Sequence, residues 1–216
     1  MASQDRLPMR SPGLCWVVAL AVCAALAVLS ILFVDRGVAE FAAAHEIQLR
    51  GLRIVGASPG AMLPVALALP MIGLFWRGIR MRAPRLWRVL TLCSVSVIWT
   101  AAAVELVLKP VFGRLGPYAW LERHDYGFHW LAGREAAFPA FPSGEAALTM
   151  AAVSVLWLCY PRWRWLFVLA AEMEAFLLVD LNWHFLSDVV AGGMIGAFGG
   201  AIARELFRRC DDSAGA

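Results

Sequence analysis

Six apolar runs, each close to the length that crosses a lipid bilayer, constrain this chain more than any other feature. A hydrocarbon core of about 30 Å takes around 20 helical residues. The runs cover Leu14–Val34, Pro59–Trp76, Val89–Leu108, Ser143–Tyr160, Trp165–Trp183 and Asp188–Ala203. Pro64 and Pro70 are expected to kink the second. Hydrophobic residues make up 61% of the 216 and charged residues 16%, against about 25% charged in a soluble domain. No Gly/Ser linker, low-complexity tract or repeat divides the chain. The expected fold is all-α: a polytopic membrane protein with six transmembrane helices in one bundle, forming a single domain over residues 1–216. The first run is too long for a signal-peptide core and lacks a cleavage site, so it reads as an uncleaved anchor. After it, Val38, Phe41, Leu49 and Leu52 suggest an amphipathic helix on the membrane surface.

Arginine placement sets the expected orientation. Arg77, Arg80, Arg82, Arg85 and Arg88 crowd the loop after the second run. Arg162 and Arg164 follow the fourth, Arg204, Arg208 and Arg209 end the sixth, and Arg6 and Arg10 precede the first. All fall on one side of a six-span bundle, which the positive-inside rule makes cytoplasmic, with both termini. The net charge of +3 is therefore topology rather than a sign of nucleic-acid binding. Of the five cysteines none forms a CxxC pair, so neither a disulfide nor zinc is indicated, and no cofactor is expected.

The unusual residues converge on the opposite, non-cytoplasmic face. The chain's single lysine, Lys109, stands where the third run ends, and Arg114 follows in the Gly/Pro-rich turn "KPVFGRLGP". An aromatic loop leads to "FPSGEAA", where Ser143 is a natural N-cap and Glu145 falls in the first helical turn. Small residues at a helix N-terminus suit an anion, whereas Glu145 would repel one and instead favours the macrodipole. The fifth run returns to this face at "VDLNWHFLSDVVAGG". His184 and Asp188, four apart, would share a helix face, and a carboxylate on one imidazole nitrogen leaves the other free as nucleophile or base. Glu105 could neutralise Lys109 one turn away. The Trp/Tyr-rich loop reads as an interfacial belt. Glu172 and Glu174 lie on different faces of the fifth run, so at least one should face the bundle interior, where ionisable groups are costly.

The order Lys-x4-Arg…Pro, Pro-Ser-Gly and His-x3-Asp, each at the same membrane face, resembles the type-2 phosphatidic-acid phosphatase superfamily over roughly Val104 to Gly200. The resemblance implies a six-helix enzyme that removes phosphate from a lipid phosphate or isoprenyl phosphate or pyrophosphate. It implies His184 as the nucleophile that forms a phosphohistidine and Asp188 as its orienting partner. Lys109, Ser143 and Gly144 would hold phosphate oxygens. The family pattern is broken at three places: Gly116 stands in an arginine position, Glu145 replaces the acid histidine, and Leu177–Leu178 replace Ser-Arg.

Those losses are large. Two charge-assisted hydrogen bonds at about 1.5–3 kcal/mol each amount to roughly 10²–10⁴ in rate or affinity. A missing general acid costs about another 10²–10⁴. Arg114, two residues before the vacant arginine position, could supply the phosphate grip, with Arg123 or Arg134 folding over the site. Glu145 could act as the acid if burial keeps it protonated. The alternatives are a catalytically impaired pseudoenzyme that binds a lipid headgroup or an unidentified membrane protein, and a metal-assisted site on Glu145, His184 and Asp188. Lys109, Ser143, Glu145, His184 and Asp188 are expected around one cavity. The expected setting is a bacterial inner membrane, with the site facing the periplasm or exterior.

Overall fold

The computed structural model describes residues 12–45, 62–75, 77–131 and 139–214, and the described secondary structure is helical apart from two isolated β-bridges. Helix α1 (Pro12–Leu29) passes through a π-helical stretch, Ser30–Val34, straight into α2 (Asp35–Ala44). Helix α3 (Met62–Phe75) carries Pro70 in its interior. Helix α4 (Arg77–Arg82) precedes α5 (Pro84–Ala102), which continues through a π-helical stretch, Ala103–Leu108, into α6 (Lys109–Phe112). Helix α7 (Pro117–Arg123) lies in the aromatic loop. Helices α8 (Gly144–Cys159), α9 (Arg164–Asp180) and α10 (Leu186–Ala214) complete the fold.

Local chemistry sets these boundaries. Pro84 and Pro117 begin their helices, where the missing N–H costs nothing. Gly113 ends α6 at φ 55°, a left-handed conformation that glycine adopts without a Cβ penalty. The Ser143 hydroxyl accepts from Ala146 N–H at 3.3 Å and caps α8. Among the described residues three continuous helices are long and apolar enough to cross a membrane: Cys15–Ala44, Pro84–Phe112 and Leu186–Phe207. Leu63–Ile72 and Gly144–Cys159 are shorter apolar helices. Leu26, Val28 and Phe33 on the first helix are exposed, as befits an apolar solvent.

The surface helix expected after the first run is not a separate element. Val38 and Phe41 lie on α2, whose buried face is Asp35, Ala39 and Ala42, while Leu49 and Leu52 lie outside the described residues. The chain does not break at Asp35 because that carboxylate is buried among partners.

The tightest packing joins α8 to α10. Gly192, Gly196 and Gly200, spaced four apart, face Ser143, Ala147, Ala151 and Ser154, a small-residue seam that lets backbones approach where apolar burial gives no drive. Across α5, Ser96 donates to the Ala151 carbonyl at 3.0 Å. A Cβ on Gly196 would strike the Ala147 carbonyl and Ala151 nitrogen, backbone atoms that cannot rotate away. Gly196→Val is therefore expected to cost about 1–3 kcal/mol, read as a lowered thermal midpoint in detergent. Gly37→Ala, with nothing within 4 Å of the added carbon, is the control and should leave the midpoint unchanged or raise it.

Candidate active site

A cavity of about 730 Å³ opens between the end of the long Pro84–Phe112 helix, α7 and the start of α8. Glu105, Lys109, Gly116, Arg123, Glu145 and His184 are among its lining residues. His184 is placed by the tight turn between α9 and α10, in which Asn182 sits at φ 52° and His184 N–H donates to the Leu178 carbonyl at 3.1 Å. The imidazole Nδ1 lies 3.0 Å from the Ala140 carbonyl. A carbonyl only accepts, so Nδ1 carries the proton, and Nε2 faces Glu145 Oε2 at 3.0 Å. The Glu145 side chain is 33% exposed and that of His184 8%. Lys109 Nζ is 2.6 Å from Glu105 Oε1.

Three of the expected residues thus meet at one cavity: Lys109, Glu145 and His184. Three others stand behind its wall. Ser143 is wholly buried, its hydroxyl spent on the helix cap. Gly144 lies beneath the Glu105–Lys109 pair, close enough that a Cβ would come within 2.6 Å of Glu105 Oε1. Asp188 is also wholly buried.

The expected His184–Asp188 hydrogen bond does not form; Nδ1 and Oδ2 are 3.9 Å apart. Helix α10 begins only at Leu186, so the pair does not share a helical face. Asp188 falls in the first turn of that helix and its Oδ2 turns back to accept Phe185 N–H at 2.9 Å, half of a capping box. The Ala140 carbonyl takes over the orientation of the imidazole. With Asp188 turned away, Glu145, His184 and Asp188 do not converge on one point as a metal set would, and no group of three such side chains does so among the described residues.

Arg114 is likewise not at the cavity. It is fully buried, with Nη2 on Asp35 Oδ2 at 2.8 Å and Nη1 on Asp188 Oδ1 at 2.6 Å. Nη1 also donates to Ser187 Oγ at 2.7 Å, and Ser187 donates from both Oγ and N–H to Asp35. Ser30 donates to the same carboxylate at 2.7 Å. The guanidinium lies 4.4 Å from the Phe185 ring centre, 5.0 Å from Tyr126 and 5.1 Å from Phe128. Burial would pull Arg114 down, but Asp188 and Asp35 hold it above its ordinary value, so it stays charged. Burial pushes the Tyr126 hydroxyl up to about 12, so it is a neutral donor to the Ile31 carbonyl. The aromatic loop is therefore partly the wall of this ion network rather than only an interfacial belt.

Asp35 is the residue that sequence reasoning passed over. Its signal was present: a lone carboxylate ending an apolar run, where an unpaired charge is expensive. The family arginine positions are otherwise occupied. Leu178 is fully buried with Ala146 and Val189. At Gly116 an added Cβ would meet only ordinary contacts, Trp183 O at 3.6 Å and Ala140 Cβ at 3.7 Å. Arg123 lines the cavity, and Arg134 lies outside the described residues.

Comparison with known proteins gives the same direction as the motifs. A lipid A 1-phosphatase of Rhizobium johnstonii is 32% identical over 117 residues, 53% of this chain and 46% of that protein. A lipid A 4'-phosphatase of Bacteroides thetaiotaomicron is 30% identical over 121 residues, 53% of each. The matched stretch spans about half the length of these curated relatives. No solved structure matches. The PAP2 superfamily matches residues 86–211, more than half of the chain and all of the motif-bearing segments, and the chain belongs to that superfamily.

Proposed function

We propose that this protein is a membrane lipid-phosphate phosphatase that works through a phosphohistidine on His184. The observation that carries the reading is the imidazole itself: Nδ1 is fixed on the Ala140 carbonyl while Nε2 points at Glu145 on the cavity wall. One proton can be shared between Nε2 and Glu145 Oε2. When that proton rests on Glu145, the Nε2 lone pair attacks phosphorus and the P–O ester bond breaks. The leaving alkoxide takes the Glu145 proton. Ionised Glu145 then removes a proton from water, whose oxygen attacks the phosphohistidine and frees phosphate and His184. Glu145 must swing off Nε2 to admit the phosphoryl group, and its partial exposure gives it the room. Lys109 is the cation that meets a phosphate oxygen, once Glu105 releases it.

The setting in this reading is a six-span bundle in a bacterial inner membrane, one domain over the whole chain, with cytoplasmic termini and the cavity on the other face. Candidate substrates are phosphatidate, phosphatidylglycerol phosphate, isoprenyl pyrophosphate and, from the names of the relatives, a lipid A phosphate.

A second reading, a headgroup-binding pseudoenzyme, draws on one specific observation. The described lining carries Glu105, Glu122 and Glu145 against Lys109 and Arg123, and Lys109 and His184 are already paired with carboxylates. Phosphate release from those four lipids by the purified protein decides between them. Under the phosphatase reading, release is expected to fall to background in His184→Ala, with chelator making no difference. No release above that control from folded wild-type protein would select the pseudoenzyme. Release that chelator abolishes would point to a metal-assisted reaction.

A further inference from the structure

A second hollow among the helices shares no lining residue with the His184 cavity. Its outer part, about 320 Å³, lies among α1, α8, α9 and α10, and its apolar walls include Trp16, Trp157 and Val168. Its inner part, about 270 Å³, lies among α8, α9 and α10 and reaches Thr149 and Glu174. Met150, Ala171 and Glu172 line both parts, so the two adjoin there. Glu174 is only 6% exposed. Its Oε1 and the Thr149 Oγ1 complete no hydrogen bond among the described residues, although the hydroxyl lies beside the carboxyl.

This arrangement has an apolar end and an end that carries two carboxyl groups. A deep carboxyl oxygen that completes no hydrogen bond inside an apolar bundle marks a place where a further donor can bind, because such groups are otherwise paired. Three oxygen-bearing side chains fall short of the six to eight oxygens that a hard cation such as calcium takes, and the long apolar entrance serves no bare ion. Pockets of mostly apolar lining with a few placed polar groups take amphipathic molecules.

Depth narrows the ligand further. Glu172 is midway along the 17-residue α9, about 12 Å from either end at 1.5 Å per residue. A phospholipid amine at headgroup level does not reach it. We propose that the hollow binds a single-chain amphiphilic amine, with its alkyl chain in the groove of Trp16 and Trp157 and its ammonium at Glu172, Glu174 and Thr149. Nothing in this proposal depends on phosphatase activity.

Dodecylamine is the probe and dodecanol, with the same chain and no charge, its control. Each is titrated into the full-length protein in phosphatidylcholine nanodiscs while the thermal midpoint is read, since a ligand of the folded state raises it. Dodecylamine is expected to raise the midpoint with an apparent affinity at least tenfold above that of dodecanol. Glu174→Gln and Glu172→Gln should each erase that difference, and His184→Ala should keep it. If Glu174→Gln does not fold, Glu172→Gln, on the exposed side of α9, carries the test. Equal effects of amine and alcohol, or an amine preference that survives both glutamine variants, overturn the proposal. So does a midpoint that dodecylamine leaves unmoved, which would leave the carboxylates to a basic side chain on a neighbouring transmembrane helix.

Discussion

Arg114→Leu is expected to destabilise the protein by about 3–5 kcal/mol, the cost of breaking a buried ion pair by removing one partner. The leucine would leave Asp35 and Asp188, both fully buried, facing one another without a cation. Ser30, Ser187 and the Phe185 N–H would still donate to them, but hydrogen bonds from neutral groups do not cancel two charges. Arg114→Lys keeps the charge and loses the fork that reaches both carboxylates, so it should fall between wild type and leucine. The discriminating variant is Asp35→Asn/Arg114→Leu. If Asp35 and Arg114 are coupled through their charges, the double variant costs clearly less than the two single changes added together, as thermal unfolding in detergent would show. Strict additivity would mean that Arg114 matters for its ring contacts with Phe185 and Tyr126 rather than for its charge.

The second large effect is kinetic. In Glu145→Gln the shared proton has no carboxyl to move to, and turnover of an alkyl phosphate is expected to drop about 10²–10⁴-fold, the range of a general acid. The signature lies in the leaving group. Nitrophenolate departs without a proton, so p-nitrophenyl phosphate should still phosphorylate His184 in the variant. Its phosphohistidine then waits for a base, and the expected trace is a stoichiometric burst of nitrophenolate followed by slow turnover. An equal loss on both substrates, with no burst, would make Glu145 a holder of the imidazole and not a carrier of the proton.

The parts of this fold that were legible in the sequence are those written in local chemistry. Apolar runs placed α8 closely and overlapped α5, Ser143 announced its cap, and Lys109, Glu145 and His184 do share a cavity. The motif order identified the superfamily despite three substitutions. What failed was partner choice over distance. Arg114 beside a vacant arginine position read as a spare cation for phosphate, yet two carboxylates 79 and 74 residues away outcompete a ligand that is not always present. His184-x3-Asp188 read as a helical pair because spacing shows periodicity and not where a helix begins. The first apolar run ends at Val34, just before Asp35, and the pairing of that carboxylate with Arg114 explains why the helix carries on.

That pairing also gives the site an order in time. Asp35 leaves the ribosome 79 residues before Arg114, and Arg114 leaves 74 residues before Asp188. At about 5–20 residues per second, each interval is roughly 4–16 s. The first helix must hold its carboxylate through one wait, and the loop its arginine, with one of two carboxylate partners, through the next. The turn that carries His184 is pinned only when Ser187 and Asp188 arrive at the head of the final helix. The His184 imidazole is thus the last component to be secured, and a nascent chain that stalls before α10 carries every cavity residue, His184 included, without the Ser187 and Asp188 that pin its turn.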